Sequence, residues 1–291
     1  MSGVTGAERV QSRKDFAQFV EEYREVISNF PGFVSMTTSG SYNSDLNKTT
    51  FGDIDLIIHF DTWNDKQLLK RMLVSYFHNM SEDIIVPFTS AKYASKRTSN
   101  TGELVSVRFH SKTLGYSVQI DNIVALSAEE ANFKREFLDL PAEKQGLILG
   151  LVKVAAIEYE PISLFELLGL KDMIKYPSKI LDGEWEFSLS SSKLELRLVH
   201  YKPGTTEQLQ HDIYWTSQDW NDVKKLLGYD LDLTFPHLLL RVRRNIKNPR
   251  SAKRIMGLFK SMVSVKSGEV GTPKGEVKER ALTQVALCLT Q

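Results

Sequence analysis

The 291-residue sequence predicts an α+β fold, in which a mixed sheet flanked by helices is followed by a mainly helical C-terminal domain. Short apolar runs with alternating polar residues, separated by turn residues, dominate the first part of the chain and are typical of strands. After Ser127 the apolar residues recur at helical spacing instead. Because this length suits one large or two ordinary domains, we expect a first domain over residues 1–126 and a second over 127–291.

In the first domain, a helix over 12–28 is predicted because Ser12 can cap it and apolar residues follow at helical spacing. The other elements predicted there are a strand over 33–38, a strand that begins near Asp53, a helix over 67–80, a strand-like segment over 83–88, a basic loop over 89–102, and a hairpin of strands 104–109 and 116–125. In the second domain we expect helices over 128–138 and 141–158, a hairpin over 185–200, and helices over 219–227, 236–246, 251–262 and 273–289.

The composition is that of a soluble globular protein, with 42% hydrophobic and 25% charged residues. A single cysteine, Cys288, excludes an intrachain disulfide and a multi-cysteine zinc site. The first residues lack the apolar core of a secretion signal and no run of 18 apolar residues occurs, so we expect a cytoplasmic protein without a membrane partner. Neither GxSxG nor HExxH is present, so nucleophilic catalysis by a side chain finds no support.

Two aspartates, Asp53 and Asp55, open an apolar run that reads as a strand. Residues two apart on a strand point to the same face, so these carboxylates lie side by side while Ile54 points into the protein. Such a pair repels unless a cation neutralises it, and Mg²⁺ is the usual partner of an all-oxygen site. Upstream, Gly40-Ser41 follows a predicted strand, where a glycine lets backbone N–H groups approach phosphate oxygens. The stretch therefore predicts adjacent phosphate and metal sites.

The order Gly40-Ser41, then Gly52-Asp53-Ile54-Asp55, resembles the signature of the DNA polymerase beta-like nucleotidyltransferase superfamily. The resemblance implies a nucleotidyltransferase fold and a third carboxylate on a later neighbouring strand. Asp121 is the candidate, because it lies on an apolar, alternating run in YSVQIDNIVAL. The resemblance further implies that Asp53, Asp55 and Asp121 are catalytic and bind two Mg²⁺ ions, with Mn²⁺ as an alternative. It makes Gly40, Ser41 and Gly52 nucleotide-binding residues.

A weaker resemblance concerns the second domain, where GLILGLVKVA followed by ISLFELLGL is similar to the helical core of poly(A) polymerases and oligoadenylate synthetase-like enzymes. In that group a lysine on the equivalent helix contacts the triphosphate, which implies that Lys153 is a nucleotide ligand. The alternative is that Lys153 only covers a helix edge, with its ammonium group in water.

The chain also departs from the family pattern. Many template-using relatives place an arginine shortly after Gly-Ser, whereas this chain has Asn43 and Ser44. The cation that binds the triphosphate must therefore come from elsewhere. The candidates are Lys48, Lys92, Lys96, Arg97 and Lys153.

Charge is unevenly distributed along the chain. Between Arg241 and Arg280, twelve Lys or Arg face three Glu, which is a local net charge of +9 in a protein of net charge +1. Such a segment suits a polyanion, either nucleic acid or a triphosphate. A solvated, basic helix face is the alternative interpretation.

The resemblance implies transfer of a nucleoside monophosphate from a nucleoside triphosphate such as ATP to a hydroxyl, with release of pyrophosphate. The favoured acceptor is a nucleic-acid 3′ end, on tRNA, other RNA or DNA, because of the basic segment. Two alternatives stay open. The acceptor can be a nucleotide, giving an oligonucleotide or a cyclic product, or a protein or small molecule. The chain can also be an inactive module that binds nucleic acid or protein.

Overall fold

The structure, a computed structural model, describes residues 6–88, 98–101, 103–140, 184–203, 205 and 207–227, with the single positions 145, 148, 149, 152, 166, 168 and 169. The chain divides into two compact units, Met1–Pro141 and Ala142–Gln291. Helices and a mixed sheet are both present, which confirms the α+β class. None of the helices in the described ranges has the length and apolarity needed to cross a bilayer.

The first unit is built on a five-stranded sheet. Its elements are α1 (Arg13–Ile27), β1 (Phe33–Thr38), α2 (Ser41–Ser44), β2 (Ile54–Phe60), α3 (Lys66–His78), β3 (Thr98–Thr101), β4 (Leu104–His110), β5 (Ser117–Ala125) and α4 (Ala128–Leu138). The strand order is β1-β2-β5-β4-β3. Strands β2 and β5 are parallel and every other neighbouring pair is antiparallel, so the sheet is mixed.

The predicted helix over 12–28 is confirmed as α1. Its N-cap Ser12 accepts a hydrogen bond from the amide of Asp15, as an N-cap serine does when it satisfies a free N–H of the first turn. Phe16, Phe19 and Tyr23 are buried on one side of this helix, against the sheet. The helix therefore forms because its cap and its apolar spacing agree.

Strand β2 separates two apolar clusters. Ile54, Leu56 and Ile58 point into the larger core, which includes the buried side chains of α1 and α3. Ile57 points to the other face, where it packs with Ile123 and with residues of α4. Because strand residues alternate between faces, Asp55 belongs to the face that α4 covers farther along the strand.

Two sequence predictions in this unit were wrong. Residues 83–88 form no regular strand: a turn at 83–84 leads to one isolated bridge between Ile85 and Phe109, where the Val86 amide donates to the Arg108 carbonyl at 2.8 Å. The pairing does not continue because β3 pairs with the other half of this edge of β4, from Leu104 to Val107. Part of the segment predicted as a loop over 89–102 is instead strand β3, Thr98–Thr101. The predicted hairpin is confirmed as β4 and β5, which pair antiparallel.

The division between the two units lies later in the chain than the boundary expected after residue 126. Helix α4 contacts β2 and β5, and the division between the units falls after Pro141. The predicted helix over 128–138 is confirmed as α4. Its N-cap is Ser127, whose hydroxyl accepts a hydrogen bond from the Glu130 amide. Its apolar side completes the cluster around Ile57, which explains why it belongs to the first unit.

In the second unit the described elements are β6 (Glu184–Leu189), β7 (Leu194–Tyr201), β8 (Gln208–Ser217) and α5 (Trp220–Leu226). They include an antiparallel sheet of order β6-β7-β8, which confirms the hairpin over 185–200 and adds a third strand. Asp219 caps α5 by accepting from the Asn221 amide, as the helix over 219–227 predicted. Most of the helix expected over 141–158, and the helices over 236–246, 251–262 and 273–289, lie outside the described residues.

Candidate active site

Asp55 and Asp121 are register partners on the parallel strands β2 and β5. Partners in register carry their side chains on the same face of a sheet. The third acid, Asp53, lies immediately before β2 and is half-buried. Strand pairing therefore makes Asp55 and Asp121 neighbours, although they are 66 residues apart in sequence.

These acids belong to a polar row that crosses the sheet. The amide of Ser39, just past β1, donates to the Asp55 carbonyl at 3.0 Å. On the other side, Asp121 is the register partner of Ser106, and Ser106 is the partner of Ser99. The three serines and Asp121 are all less than a tenth exposed. Buried polar side chains are costly unless they are satisfied, so this row makes the part of the sheet around Asp55 and Asp121 a candidate site.

One member of the row has an unsatisfied group. The Ser39 hydroxyl is buried and has no hydrogen-bond partner among the described residues. Continuing the β1–β2 register places Ser39 opposite Asp55, on the face that carries the acids. An unpaired buried hydroxyl beside a carboxylate adds a polar group that a ligand can satisfy.

The electrostatics of Asp55 reflect this environment. Burial raises its pKa, and repulsion from Asp53 and Asp121 raises it further, to about 7. The ammonium group of Lys48 opposes the shift. Asp55 therefore resists ionisation at neutral pH, as a carboxylate does when it is buried beside other acids.

Asp121 shows the same trend with more local support. Burial raises its pKa, hydrogen bonds from Ser106 and Gln119 lower it, and the charge of Asp53 raises it, so that the net shift is upward. The Gln119 side-chain amide donates to Asp121 Oδ1 at 3.0 Å. Asp53 thus acts on both of the other acids, and the three predicted residues form one electrostatically linked group.

The group has the donor chemistry of a magnesium site without forming a complete cage. Within the described ranges, no three carboxylate, imidazole or thiol side chains come close enough together to hold a metal ion between them. Mg²⁺ in phosphate-handling enzymes is often bound by one or two carboxylates, with phosphate oxygens and waters completing its shell. Asp55 and Asp121, which are in register on parallel strands, fit that mode, and a cation there would relieve the repulsion that raises the pKa of Asp55.

The predicted Gly40-Ser41 turn lies directly against Asp55. Gly40 precedes α2 with φ 72° and ψ −143°, a backbone conformation that side chains with a Cβ rarely adopt. A Cβ at this position would come within 2.5 Å of Asp55 Oδ2. The glycine is therefore required by a close approach of backbone to carboxylate. Gly52, by comparison, is a half-buried residue in the bend before β2.

Lys48 is the cation that the described structure places at this turn. Its Nζ donates to Ser41 Oγ at 2.6 Å. The loop that carries it is held by Arg13, which donates to the carbonyl of Tyr42 at 2.7 Å and to that of Lys48 at 3.3 Å. The Arg13 guanidinium also lies 4.1 Å from the centroid of the Tyr42 ring. The other four candidate cations, Lys92, Lys96, Arg97 and Lys153, lie outside the described residues.

Asp139, which sequence reasoning missed, is a further acid at this turn. Its Oδ1 accepts from the Gly40 amide at 3.1 Å, so that amide is satisfied within the protein. Burial raises the pKa of Asp139, while hydrogen bonds from Asn43 and Gly40 lower it, and the net shift is upward. The residue is the C-cap of α4, and no motif in the sequence distinguishes it from an ordinary surface aspartate.

No protein-family model matches the chain, and a search of curated proteins finds no match either. The resemblance to nucleotidyltransferases therefore depends on the residues themselves.

Proposed function

We propose that the protein is a metal-dependent nucleotidyltransferase, which transfers a nucleoside monophosphate from a nucleoside triphosphate to a hydroxyl and releases pyrophosphate. In this proposal the first unit has a nucleotidyltransferase fold and the remainder of the chain is a mainly helical domain. The observation that supports it most is the register of Asp55 with Asp121 on parallel strands, with Gly40 packed against the Asp55 carboxylate.

The charge balance of the site argues for a cationic ligand. Asp53 and Asp121 raise the cost of ionising Asp55, and Asp53 raises that of Asp121, while the ammonium group of Lys48 opposes the effect at Asp55. We propose that these three carboxylates bind Mg²⁺, or Mn²⁺ in its place. When bound, the metal would neutralise phosphate charge and lower the pKa of the attacking hydroxyl.

The side chains of the site then have two roles, which are to position the phosphates and to accept a proton. Asp121, fixed by Gln119 and Ser106, accepts the proton of the acceptor hydroxyl. Ser41 and Lys48 bind the terminal phosphates, with Lys153 as a further ligand implied by the family resemblance. In phosphoryl transfer most of the rate enhancement comes from such positioning and from fixed charge.

We propose a nucleic-acid 3′ end as the acceptor, since the segment between Arg241 and Arg280 carries a net charge of +9. The test uses purified full-length protein with labelled ATP and Mg²⁺, and with tRNA, single-stranded DNA or no polymer. Extension of a polymer together with pyrophosphate release supports this acceptor. A labelled oligonucleotide or cyclic product without polymer supports a nucleotide acceptor, and labelled protein supports nucleotidylation.

Two variants identify the site as the source of any activity. Asp55→Asn and Asp121→Asn keep side-chain volume and remove the carboxylate, so each should reduce transfer at least a hundredfold, roughly what loss of several kcal/mol of transition-state stabilisation gives. Glu136→Gln, which removes an exposed charge on α4, is the matched control. Absence of pyrophosphate release with every acceptor, in Mg²⁺ and in Mn²⁺, would refute the proposal.

A non-catalytic binding module is the second candidate. It is favoured by one observation, namely that no three potential metal ligands converge in the described ranges. Two results together would favour the binding module. The wild-type protein would release no pyrophosphate, and Asp55→Asn would bind nucleic acid as tightly as the wild type does.

A further inference from the structure

The C-terminal end of α4 is tied to the Gly40-Ser41 turn by both oxygens of one carboxylate. Asp139 Oδ1 accepts from the Gly40 amide at 3.1 Å, and Oδ2 accepts from Asn43 Nδ2 at 2.9 Å. The contacts join residues 99 and 96 positions apart in sequence. Hydrogen bonds to an ionised carboxylate are stronger than bonds between neutral groups, so this connection is a substantial constraint on the turn.

Asn43 extends the connection to the end of β1. Its Nδ2 also donates to the Thr38 carbonyl at 2.7 Å, and its Oδ1 accepts from the Thr38 hydroxyl at 3.2 Å. The amide thus makes three hydrogen bonds within the protein. Asn43 thereby joins the end of β1 to Asp139.

Gly40 is held from two sides by this arrangement. Asp139 binds its amide, while the space beside its Cα is occupied by Asp55 Oδ2, 2.5 Å from where a Cβ would stand. The preceding residue, Ser39, is bonded through its amide to the Asp55 carbonyl. The position of the turn relative to the Asp55 carboxylate therefore depends on both acids.

Helix α4 is a suitable support because it is fixed to the strands that carry Asp55 and Asp121. Ala131 and Leu138 pack with Ile57 and Ile123, on the same sheet face as the acids. The helix start is capped by Ser127, whose hydroxyl accepts from the Glu130 amide. A carboxylate on a rigid element holds its partner with more precision than one on a loop.

We infer that Asp139 is a positioning residue for the proposed reaction, which holds the Gly40-Ser41 turn at the Asp55 carboxylate by accepting hydrogen bonds from Gly40 and Asn43. The effect of Asp139 on the reaction rests on the proposed function, whereas its effect on the position of the turn does not. Asp139 itself does not contact the nucleotide. It acts by keeping Ser41, and through it the phosphate-binding side of the turn, in place over the acids.

A carboxylate is specifically required, because two N–H donors converge on Asp139. Asparagine at this position would offer one oxygen to Gly40 and would turn its own NH₂ toward that of Asn43. Asp139→Asn therefore removes one hydrogen bond and sets two donors against each other, without changing side-chain volume. Asp139→Ala removes both bonds, and Asp139→Glu keeps the carboxylate on a longer stem.

The first test measures amide hydrogen exchange in the full chain, which needs no activity. In Asp139→Ala, peptides covering residues 39–45 should exchange roughly tenfold faster, the effect of losing one or two charge-assisted hydrogen bonds. Asp139→Asn should lie between Asp139→Ala and the wild type. Peptides covering α3 should match the wild type, and so should the control variant Glu25→Gln, which removes an exposed charge on α1. Unchanged exchange over 39–45 in both Asp139 variants would overturn the inference.

The second test separates positioning from general destabilisation. With transfer normalised to folded protein, kcat should fall about a hundredfold in Asp139→Ala, as a displacement near 1 Å can cause, with a smaller change in KM for ATP. Asp139→Glu should recover part of that loss. Faster exchange with wild-type kcat would overturn the role in the reaction. If the wild type transfers no nucleotide at all, the proposed function fails, and exchange alone decides whether Asp139 holds the turn.

Discussion

The ammonium group of Lys48 donates a 2.6 Å hydrogen bond to the Ser41 hydroxyl, at the turn that packs against Asp55. The sequence left five cations as candidates for the triphosphate, and strand and loop geometry bring this one to the Gly-Ser turn. Its charge also lowers the pKa of Asp55 against burial and the repulsion of two acids. Lys48 is thus placed between the predicted phosphate site and the predicted metal site.

Removing this cation should weaken nucleotide binding. We expect Lys48→Met to raise the Kd for Mg²⁺·ATP roughly tenfold or more, because a charged hydrogen bond to phosphate contributes about 1.5 to 3 kcal/mol. Isothermal titration calorimetry checks this. Lys14→Met, which removes an exposed lysine of α1, is the control and should bind like the wild type. Equal Kd values for Lys48→Met and the wild type would remove Lys48 from the site.

The raised pKa of Asp55 predicts a pH-dependent cost to folding. Below about pH 4 the residue is neutral in both the folded and the unfolded state. Between about pH 4 and its folded value of about 7, the unfolded chain releases the proton and the folded protein keeps it. The free energy of unfolding should therefore decrease as pH rises through this window.

Asp55→Asn tests that cost directly. In metal-free buffer at pH 8 the variant should be more stable than the wild type, by roughly 2 to 4 kcal/mol, and at pH 4 the two should coincide. Thermal unfolding between pH 4 and pH 8 measures the difference. We also expect Mg²⁺ at pH 8 to raise the Tm of the wild type more than that of the variant. A wild type that is the more stable protein at pH 8 would contradict the burial of an ionisable Asp55.

Gly40 and Gly115 provide a matched pair for the close approach to Asp55. Both have positive φ, 72° and 75°, so alanine at either position carries a backbone penalty, and the ψ of −143° at Gly40 makes that penalty the larger one there. A Cβ at Gly115 meets nothing within 4 Å, whereas one at Gly40 meets Asp55 Oδ2 at 2.5 Å. Gly40→Ala should thus cost at least about 1 kcal/mol more than Gly115→Ala in urea unfolding, and it alone should impair nucleotide transfer. Equal costs would mean that the contact with Asp55 relaxes freely.

Two residues of α4, Glu130 and Lys134, belong to a buried cluster of ion pairs. Substitutions there should change the stability of the protein. The side chain of Lys134 is fully buried, pairs with Glu103, and lies 3.3 Å from Glu130. Lys66 also pairs with Glu130. Removing one member of a buried pair leaves uncompensated charge, which typically costs about 3 to 5 kcal/mol.

Lys134→Ala should therefore lower the free energy of unfolding by at least about 3 kcal/mol. The control is Lys202→Ala, which breaks an exposed pair with Glu207 and should change stability by less than about 1 kcal/mol. Chemical denaturation compares the two. Similar small losses would show that the remaining cation, Lys66, is enough to satisfy Glu130.

Local elements were predictable because their causes are local. Ser12 and Ser127 cap α1 and α4 as expected, and the apolar spacing after each cap is confirmed by burial. Strand β8 was missed because its first half, QLQHD, is exposed and carries no alternating apolar residues. The strand-like prediction for 83–88 was wrong for a different reason. Whether this segment pairs along its length depends on β3, which takes up part of the same edge of β4.

The sequence by itself determined the helix caps and the faces of the strands, because these depend on residues only a few positions apart. Only the tertiary structure decided that Asp121 pairs in register with Asp55 and that Asp139 binds Gly40 across 99 residues. Such contacts depend on which strands pair and where a helix ends in space. A side chain such as Asp139, with no local pattern around it, acquires its partner only when the chain has folded.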